Sequence, residues 1–457
     1  MLASIKNIHF IGIGGIGMSG IAELLHNQCF NITWSDLSKS SNVERLEKFG
    51  IQVSIGHNSD NINKLDLVVY SDAIPEDNCE LVETKKQEIL CYSRAKMISQ
   101  IAKLKSSTVA IAGTHGKTTT TSIVGSILKD SNLDPTIIVG GVVKSINSNS
   151  VLGEGDVFVV EADEYNRSLL ELNPTIAVIN NIDLEHTDCY KDIDDLKETF
   201  LQFANSVPFY GAVSICKDSE NAASLINDID DKPIFTYGIY SKDVDFRAED
   251  IVQNDGNTTF TLVEKNLKYP VSIKFPGIYN IWNALAAISV ARIMNVPIEN
   301  IINSLEKFDG VKRRFDIKNN DESLMVIDDY GHHPVEVQNV IKAIKDNWDR
   351  RLVVAFQPHL YSRTEQFFKE FSESLLLADS VLITEIFASR ELNNDSINSQ
   401  AIVDEMLKLG HQFVTPTTLE NLVDDVESVY KKGDIILTIG AGNIWRYSDL
   451  IKERLLW

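Results

Sequence analysis

Cysteine is scarce in this chain of 457 residues. The five cysteines are scattered, odd in number and never in a CxxC spacing, which argues against a disulfide framework or a zinc cage and favours a reducing cytoplasm. Long hydrophobic runs are also missing. No stretch approaches the roughly 18 apolar residues of a membrane span, and the N-terminus lacks a secretory signal pattern. We therefore expect a cytoplasmic protein without membrane insertion.

Basic residues are few as well. Lys and Arg number 43 against 65 Asp and Glu, and the formal net charge of −22 would repel nucleic acid and anionic lipid over most of the surface. An anionic small molecule remains a possible substrate if basic groups and backbone N–H donors are concentrated in a cleft. With 44% hydrophobic and 24% charged residues the composition is that of packed globular domains, and the length favours about three.

Short apolar runs alternate with helix-length segments, which predicts α/β domains with mainly parallel sheets. Four of the eight runs are followed at once by Gly, Asn or Asp. Open parallel sheets bind ligands beyond the carboxyl ends of their strands, so these polar positions are candidate sites. The predicted strands are Ile8–Ile11, Leu67–Tyr70, Val109–Ala112, Val157–Val160, Ile176–Ile179, Leu324–Ile327, Leu352–Ala355 and Ile435–Thr438.

A glycine-rich motif follows the first predicted strand and opens a predicted helix. Its GxGxxG spacing is formed by Gly12, Gly14 and Gly17, with Gly15 inside it. Such a turn lets helix N–H groups face a diphosphate, and Asp36 lies at the expected distance for a ribose contact. Both a nicotinamide dinucleotide and a sugar nucleotide carry that diphosphate. A turn that uses glycine only for packing is the alternative.

A second motif, AGTHGKTTT over residues 112–120, again lies between a strand and a helix. It misses the full Walker pattern because Ile111 stands where that pattern requires glycine, but it keeps the Gly-Lys-Thr core. Backbone N–H donors would hold the phosphates, Lys117 would neutralise the β/γ charge, and the Thr118 hydroxyl would hold Mg²⁺. A lysine at an ordinary helix start is the alternative.

Polar residues also end several later strands. Glu161 and His186 are candidate Mg²⁺ ligands beside the phosphate loop, because hard cations prefer oxygen ligands and an imidazole can complete the shell. Either residue alone is equally consistent with a solvated or salt-bridged loop. In the last third, histidines and arginines are concentrated in the segments GVKRRF, DDYGHHP and FQPHLYSR. They form the local basic focus that an acidic protein needs to bind an anion.

Together these motifs resemble the bacterial Mur ligase family. The resemblance covers the whole chain in order, and it is strongest for the member of the family that adds alanine. The motifs are GIGGIGMSG, AGTHGKTTT, VVEADE, NIDLEH, PGIYNIWNALAA, GVKRRF, DDYGHHPVE, FQPHLYSRT and GAGNI.

The resemblance implies three domains: a Rossmann-like domain for a UDP-sugar over residues 1–104, a P-loop ATPase-type domain over 105–308, and a Rossmann-like domain that binds the amino acid over 309–457. It implies an ATP- and Mg²⁺-dependent ligase of peptidoglycan synthesis. Such an enzyme phosphorylates the lactyl carboxylate of UDP-N-acetylmuramate, and L-alanine then attacks the acyl phosphate. Either a monomer or a homodimer fits.

The family's functional positions carry over to matching residues here. ATP is expected on Gly113, Thr114, His115, Gly116, Lys117, Thr118, Thr119, Asn283 and Arg314. The UDP-sugar and the amino acid are expected on Gly12, Gly14, Gly15, Gly17, Asp36, Tyr330, His332 and Arg363. Catalytic roles fall to Lys117, His332, His359 and Arg363, and Mg²⁺ to Thr118, Glu161 and His186. Because Arg314 would reach the nucleotide from the third domain, domain closure is expected before chemistry.

Three positions depart from the family pattern: Tyr279 replaces a common His, Asn166 a frequent Asp, and Leu360 an Arg seen in some relatives. They bear on substrate contacts. Alternatives to alanine ligation are a related Mur ligase with another amino acid or peptide, and an NAD-dependent oxidoreductase that would leave Lys117 unexplained. A nucleotide-binding scaffold without catalysis is a further alternative.

Overall fold

The computed structural model describes residues 5–13, 16–37, 52–71, 73–186, 189–389, 391 and 396–457. Its contacts divide the chain into two compact units, which are described separately. The first unit comprises residues 1–249, 261–271 and 282–308, and the second comprises residues 250–260, 272–281 and 309–457.

The first sheet has five parallel strands in the order β3-β2-β1-β4-β5. Its central strand is buried at all positions from Ile8 to Ile11, as expected when helices cover both faces of a parallel sheet. The strands are β1 (Asn7–Ile11), β2 (Asn31–Asp36), β3 (Gln52–Ile55), β4 (Leu67–Tyr70) and β5 (Leu90–Ser93). The helices that accompany them are α1 (Ile16–Asn27), α2 (Cys79–Lys86) and α3 (Arg94–Ala102).

The second sheet has ten strands in the order β15-β14-β13-β12-β11-β10-β6-β9-β7-β8. They are β6 (Ser107–Ala112), β7 (Thr136–Val143), β8 (Ser148–Val151), β9 (Val157–Glu161), β10 (Ile176–Ile179), β11 (Ala212–Cys216), β12 (Ile234–Gly238), β13 (Phe246–Asn254), β14 (Asn257–Glu264) and β15 (Leu267–Ile273). The helices of this part are α4 (Lys117–Asp130), α5 (Ile193–Asn205), α6 (Glu220–Ala223), α7 (Ile278–Ile293) and α8 (Ile298–Lys307).

Strand order explains why several motifs converge in this sheet. β6 lies between β9 and β10, and all three run parallel. Their carboxyl ends therefore share one edge, where the loop after β6 meets the acidic loop after β9 and the loop after β10. The strands of this centre are buried along their length, apart from the partly exposed first residue of β6 and last residue of β9.

The third sheet has the order β16-β17-β21-β18-β19-β20, parallel except for the antiparallel edge pair β16 and β17. Because β17 and β18 flank β21, the loops after them emerge at neighbouring positions. The strands are β16 (Asp316–Asn320), β17 (Met325–Asp329), β18 (Leu352–Phe356), β19 (Ser380–Ile383), β20 (Val414–Pro416) and β21 (Ile435–Ile439). The helices are α9 (Pro334–Asn347), α10 (Tyr361–Leu375), α11 (Gln400–Lys408), α12 (Leu422–Val429) and α13 (Trp445–Leu456).

The predicted α/β class with mainly parallel sheets is confirmed. Each predicted strand coincides with an observed strand, with Leu324 lying one residue before β17. In the parts of the chain described above, none of the helices is long and apolar enough to cross a bilayer.

Candidate active site

The phosphate loop joins β6 to the first turn of α4. Gly116 is the N-cap residue of α4 and has φ +82°, in the left-handed region that favours glycine. A Cβ at this position would collide with Oδ1 of Asn283. The loop is held by Asn181, whose Oδ1 accepts from the His115 N–H at 2.7 Å and whose carbonyl accepts from the Thr114 N–H at 3.2 Å. A strand followed by this turn and a helix N-terminus is a suitable anion site.

Lys117 begins α4, and acceptors surround its ammonium group. Nζ donates to the Gly113 carbonyl at 2.7 Å and to both carboxylate oxygens of Glu164 at 2.8 and 2.9 Å. Burial lowers the pKa of Lys117, but the negative charges of Glu164 and Asp163 raise it by more, so that the pKa lies above its ordinary value. The lysine is therefore charged at neutral pH. Glu164, itself almost fully buried, provides the kind of anionic oxygen that a phosphate also offers.

The three predicted metal ligands fall into two neighbouring groups. Oγ1 of Thr118 donates to Oε2 of Glu161 at 3.2 Å, so that two oxygen ligands lie together beside the phosphate loop. His186 lies instead with Glu164, its Nε2 3.7 Å from Oε1. Burial lowers the pKa of His186, but the hydrogen bond to Glu164 and the charge of Glu185 raise it further than burial lowers it.

Within the described part of the chain, Glu164, Glu185 and His186 form a cluster whose ligand atoms all lie within 4.8 Å of one another. Carboxylate and hydroxyl oxygens with one imidazole fit a hard divalent cation such as Mg²⁺. Both groups therefore have the donors for such an ion. Sequence reasoning missed Glu164 and Glu185, because both stand beside acidic residues that look equivalent in the sequence.

Asn283 is tied to the phosphate loop by a buried series of hydrogen bonds. The Tyr237 hydroxyl donates to Oδ1 of Asn180 at 2.9 Å, and Nδ2 of Asn180 donates to Oγ1 of Thr120 at 3.1 Å. Oγ1 of Thr120 in turn donates to Oδ1 of Asn283 at 3.2 Å. We call these four residues the buried relay. The relay fixes Asn283, an expected ATP contact, relative to the helix that carries Lys117.

The first glycine motif is described in part. Gly12 has φ +79°, and its N–H donates to the carbonyl of Ser35 at 3.0 Å. The turn therefore lies beside Asp36, the last residue of β2. Gly17 lies in the first turn of α1. Gly14 and Gly15 lie outside the described residues.

A buried carboxylate, which sequence reasoning missed, supports this edge of the first sheet. Glu80 accepts hydrogen bonds from Oγ of Ser35 at 2.6 Å, Nδ2 of Asn61 at 2.6 Å and Nδ1 of His57 at 2.9 Å. Burial raises the pKa of Glu80, but the nearby His9 and the hydrogen bonds from Ser35 and Asn61 lower it to about 2. We call Glu80 and these partners the Glu80 cluster. The one feature of the sequence that signals this region is Asn78, a residue type typical of helix N-caps, at the start of the helix α2 that carries Glu80.

The predicted residues of the last third also come together within the second unit. The rings of Tyr330 and His332 lie 5.2 Å apart, and those of His332 and His359 lie 5.7 Å apart. Nη1 of Arg363 is 3.2 Å from Nδ1 of His359, and the Arg314 guanidinium lies 4.8 Å from the centre of the Tyr330 ring. Burial, more than any neighbouring charge, lowers the pKa of His332, so this imidazole is neutral at pH 7.

Two carboxylates that the sequence did not single out hold this cluster in place. Asp329 accepts from the N–H groups of Phe315 and Gly331, both at 2.7 Å, and so fixes the residues next to Arg314 and Tyr330. Burial raises the pKa of Asp329 to about 6, although the charge of Arg314 opposes this. Glu336 accepts from the His332 N–H at 3.0 Å and forms a capping box with His333 at the start of α9.

The three departures from the family pattern have distinct surroundings. Burial raises the pKa of Tyr279 far above its ordinary value. Leu360 is buried and has φ +67° at the N-cap of α10. Asn166 and Arg167 are consecutive residues with φ +53° and +55°, directly after the acidic loop. Asparagine adopts this conformation more readily than most residues do, which suits position 166.

Family models match three successive segments: the Mur ligase family, catalytic domain over residues 7–106, the Mur ligase middle domain over 111–291, and the Mur ligase, glutamate ligase domain over 313–442.

Full-length relatives are similar too. A UDP-N-acetylmuramate–L-alanine ligase of Geotalea uraniireducens is 45% identical over 457 residues, covering 100% of this chain and 99% of the relative. One of Geotalea daltonii is 43% identical with the same coverage. The crystal structure of a UDP-N-acetylmuramate-alanine ligase from Thermotoga maritima superimposes with a TM-score of 0.85 at 28% identity, covering 98% of this chain and 99% of that one. These matches confirm the resemblance read from the motifs: the chain belongs to the Mur ligase family.

Proposed function

We propose that this chain is the ATP-dependent ligase that joins L-alanine to the lactyl carboxylate of UDP-N-acetylmuramate in peptidoglycan precursor synthesis. The observation that carries the proposal is the 45% identity, over the full length, to a ligase of that name. The charged Lys117 at the N-terminus of α4 supports it chemically. A nicotinamide oxidoreductase leaves this lysine unexplained, and a nucleotide-binding scaffold needs no Tyr-Gly-His-His loop after β17.

In the first step a carboxylate oxygen of the sugar attacks the γ-phosphorus of ATP. The bond from that phosphorus to the bridging oxygen breaks, ADP leaves, and an acyl phosphate forms. Little covalent assistance is needed, so catalysis rests on positioning and on neutralising charge. Backbone N–H groups of residues 113–119 bind the phosphates, and Lys117 exchanges its contact with Glu164 for a phosphate oxygen. Asn283 contacts the adenine.

Mg²⁺ belongs to this proposal. Thr118 and Glu161 would hold it at the phosphates, and His186 with Glu164 and Glu185 would complete or extend the site. When bound, the ion supplies positive charge that stabilises the transferring phosphoryl group. The donors that support this assignment are hydroxyl and carboxylate oxygens together with one imidazole.

In the second step the amine of L-alanine attacks the acyl carbon, the amine loses a proton, and inorganic phosphate leaves. We assign this step to the second unit. The neutral His332 can accept a proton, and Arg363 pairs with a carboxylate or with the acyl phosphate. Tyr330 and Arg314, stacked on each other, line the same surface, and His359 orients Arg363. The domain bounds 1–104, 105–308 and 309–457 are part of the proposal.

The test is phosphate release from ATP measured with each substrate omitted in turn. We expect release only when UDP-N-acetylmuramate and L-alanine are both present, with a product heavier than the sugar nucleotide by one alanine residue in mass spectrometry. UDP-N-acetylglucosamine, which lacks the lactyl carboxylate, is the matched control and should give none. Phosphate release that is indifferent to both substrates would contradict the proposal.

A further inference from the structure

Arg94 joins two parts of the first unit that lie far apart in sequence. It is the first residue of α3, which Ser93 caps, and α3 belongs to the first sheet. Its Nη2 donates to Oδ2 of Asp163, 69 positions further on, at 3.0 Å. Asp163 lies in the acidic loop after β9, between Glu161 and Glu164. The guanidinium therefore bridges the first sheet and the loop beside the phosphate site.

The same guanidinium lies against the first glycine motif. A Cβ built on Gly17 would be 3.0 Å from Nη1 of Arg94 and 3.4 Å from its Cδ. Gly17 is in the first turn of α1, where helix N–H groups are expected to face the diphosphate of the UDP-sugar. The missing side chain at Gly17 thus leaves room for a cation at the turn.

Asp163 brings this arginine close to the phosphate loop. Its neighbour in the chain is Glu164, whose carboxylate oxygens accept hydrogen bonds from Nζ of Lys117 at 2.8 and 2.9 Å. Arg94 consequently lies between the turn expected to anchor the UDP-sugar and the lysine expected to meet the γ-phosphate.

The geometry points to Arg94 as a binding residue for an anionic group of the UDP-sugar, either its diphosphate or its lactyl carboxylate. This inference rests on the proposed function. A guanidinium carries five N–H donors in a planar fork, so one edge can face Asp163 while another faces a substrate oxygen. Arg94 thereby directs the sugar nucleotide toward the phosphate loop.

A purely structural role predicts something different. The Arg94 and Asp163 side chains are 23% and 36% exposed, and such an ion pair contributes little to stability. If the pair only joined the two parts of the unit, removing either partner would have the same effect. If Arg94 binds substrate, removing the arginine weakens binding, while removing the aspartate leaves the arginine in place to bind.

The experiment measures binding of UDP-N-acetylmuramate by calorimetry without ATP, for Arg94→Gln, Arg94→Lys and Asp163→Asn. We expect Kd to rise about tenfold for Arg94→Gln, less for Arg94→Lys, and at most about twofold for Asp163→Asn. Arg454→Gln, which removes an exposed arginine that pairs with two carboxylates in the second unit, is the matched control. Thermal unfolding establishes that each variant is folded.

UDP-N-acetylglucosamine identifies the anionic group. Equal losses for both ligands assign Arg94 to the diphosphate, and a loss restricted to UDP-N-acetylmuramate assigns it to the lactyl carboxylate. An unchanged Kd in Arg94→Gln, or an equal rise in Asp163→Asn, overturns the inference. Failure of the wild-type chain to bind UDP-N-acetylmuramate would instead count against the proposed function.

Discussion

Replacing Glu80 with glutamine should weaken the edge of the first sheet that carries Asp36. The ionised carboxylate is stabilised in the fold, since its pKa falls from an ordinary 4.5 to about 2. At 1.36 kcal/mol for each pKa unit, this difference corresponds to about 3 kcal/mol. A glutamine at this position keeps one acceptor oxygen but places an NH₂ group against donors. We therefore expect Glu80→Gln to lose about 3 kcal/mol of local stability at pH 7.

The stabilisation of the fold by the Glu80 carboxylate depends on pH. A carboxylate with a lowered pKa stabilises the fold above its ordinary pKa, and this contribution is lost as the pH falls from about 4.5 to about 2. The difference between wild type and Glu80→Gln should therefore begin to shrink below pH 4.5.

Hydrogen exchange of peptides within residues 52–93, read by mass spectrometry at pH 7 and pH 4, measures this difference. Glu83→Gln is the matched control, because Glu83 lies on the same helix and pairs with the exposed Lys86. It should cost far less stability than Glu80→Gln. Equal protection of Glu80→Gln and wild type at pH 7 would refute the reasoning, and so would a difference that stays constant with pH.

Three further predictions concern the first unit. Lys117→Ala should lower phosphate release at least about a thousandfold in protein that still folds; undiminished turnover would remove Lys117 from the mechanism. Thr118→Val should raise the Mg²⁺ concentration needed for half-maximal activity, whereas Thr121→Val, which removes another buried hydroxyl of α4, should not. Tyr237→Phe removes the donor to Asn180 and should raise KM for ATP about fivefold with little change in KM for L-alanine. An unchanged KM for ATP would count against the buried relay.

The sequence was most informative where the chemistry is local. Parallel strands are covered on both faces and so appear as continuous apolar runs, which is why the centres of all three sheets were predictable. By contrast, β14 alternates buried positions with exposed or partly exposed ones along its length and was not among the predicted runs. The phosphate loop was predictable because its turn, lysine and threonine are adjacent in the chain.

Partnerships between distant residues were not predictable in this way. Glu161, Asp163 and Glu164 look equivalent in the sequence, yet they contact Thr118, Arg94 and Lys117 respectively. Where each of these side chains points depends on the backbone path after β9. That path includes two consecutive residues in the left-handed region, Asn166 and Arg167, neither of which is a glycine. Glu80 was missed for the same reason, since its partners Ser35 and His57 come from other strands and loops.

The buried relay from Tyr237 to Asn283 has a consequence for fidelity toward the nucleobase. The side chain expected to read the base and the helix that carries Lys117 are joined by hydrogen bonds inside the protein, so displacing one displaces the other. A triphosphate with a different base would then be held with its terminal phosphate misaligned. Selection of ATP over other nucleoside triphosphates would then affect the turnover rate of the bound complex as well as the fraction of enzyme that is bound. Competing triphosphates in a cell would therefore give little product.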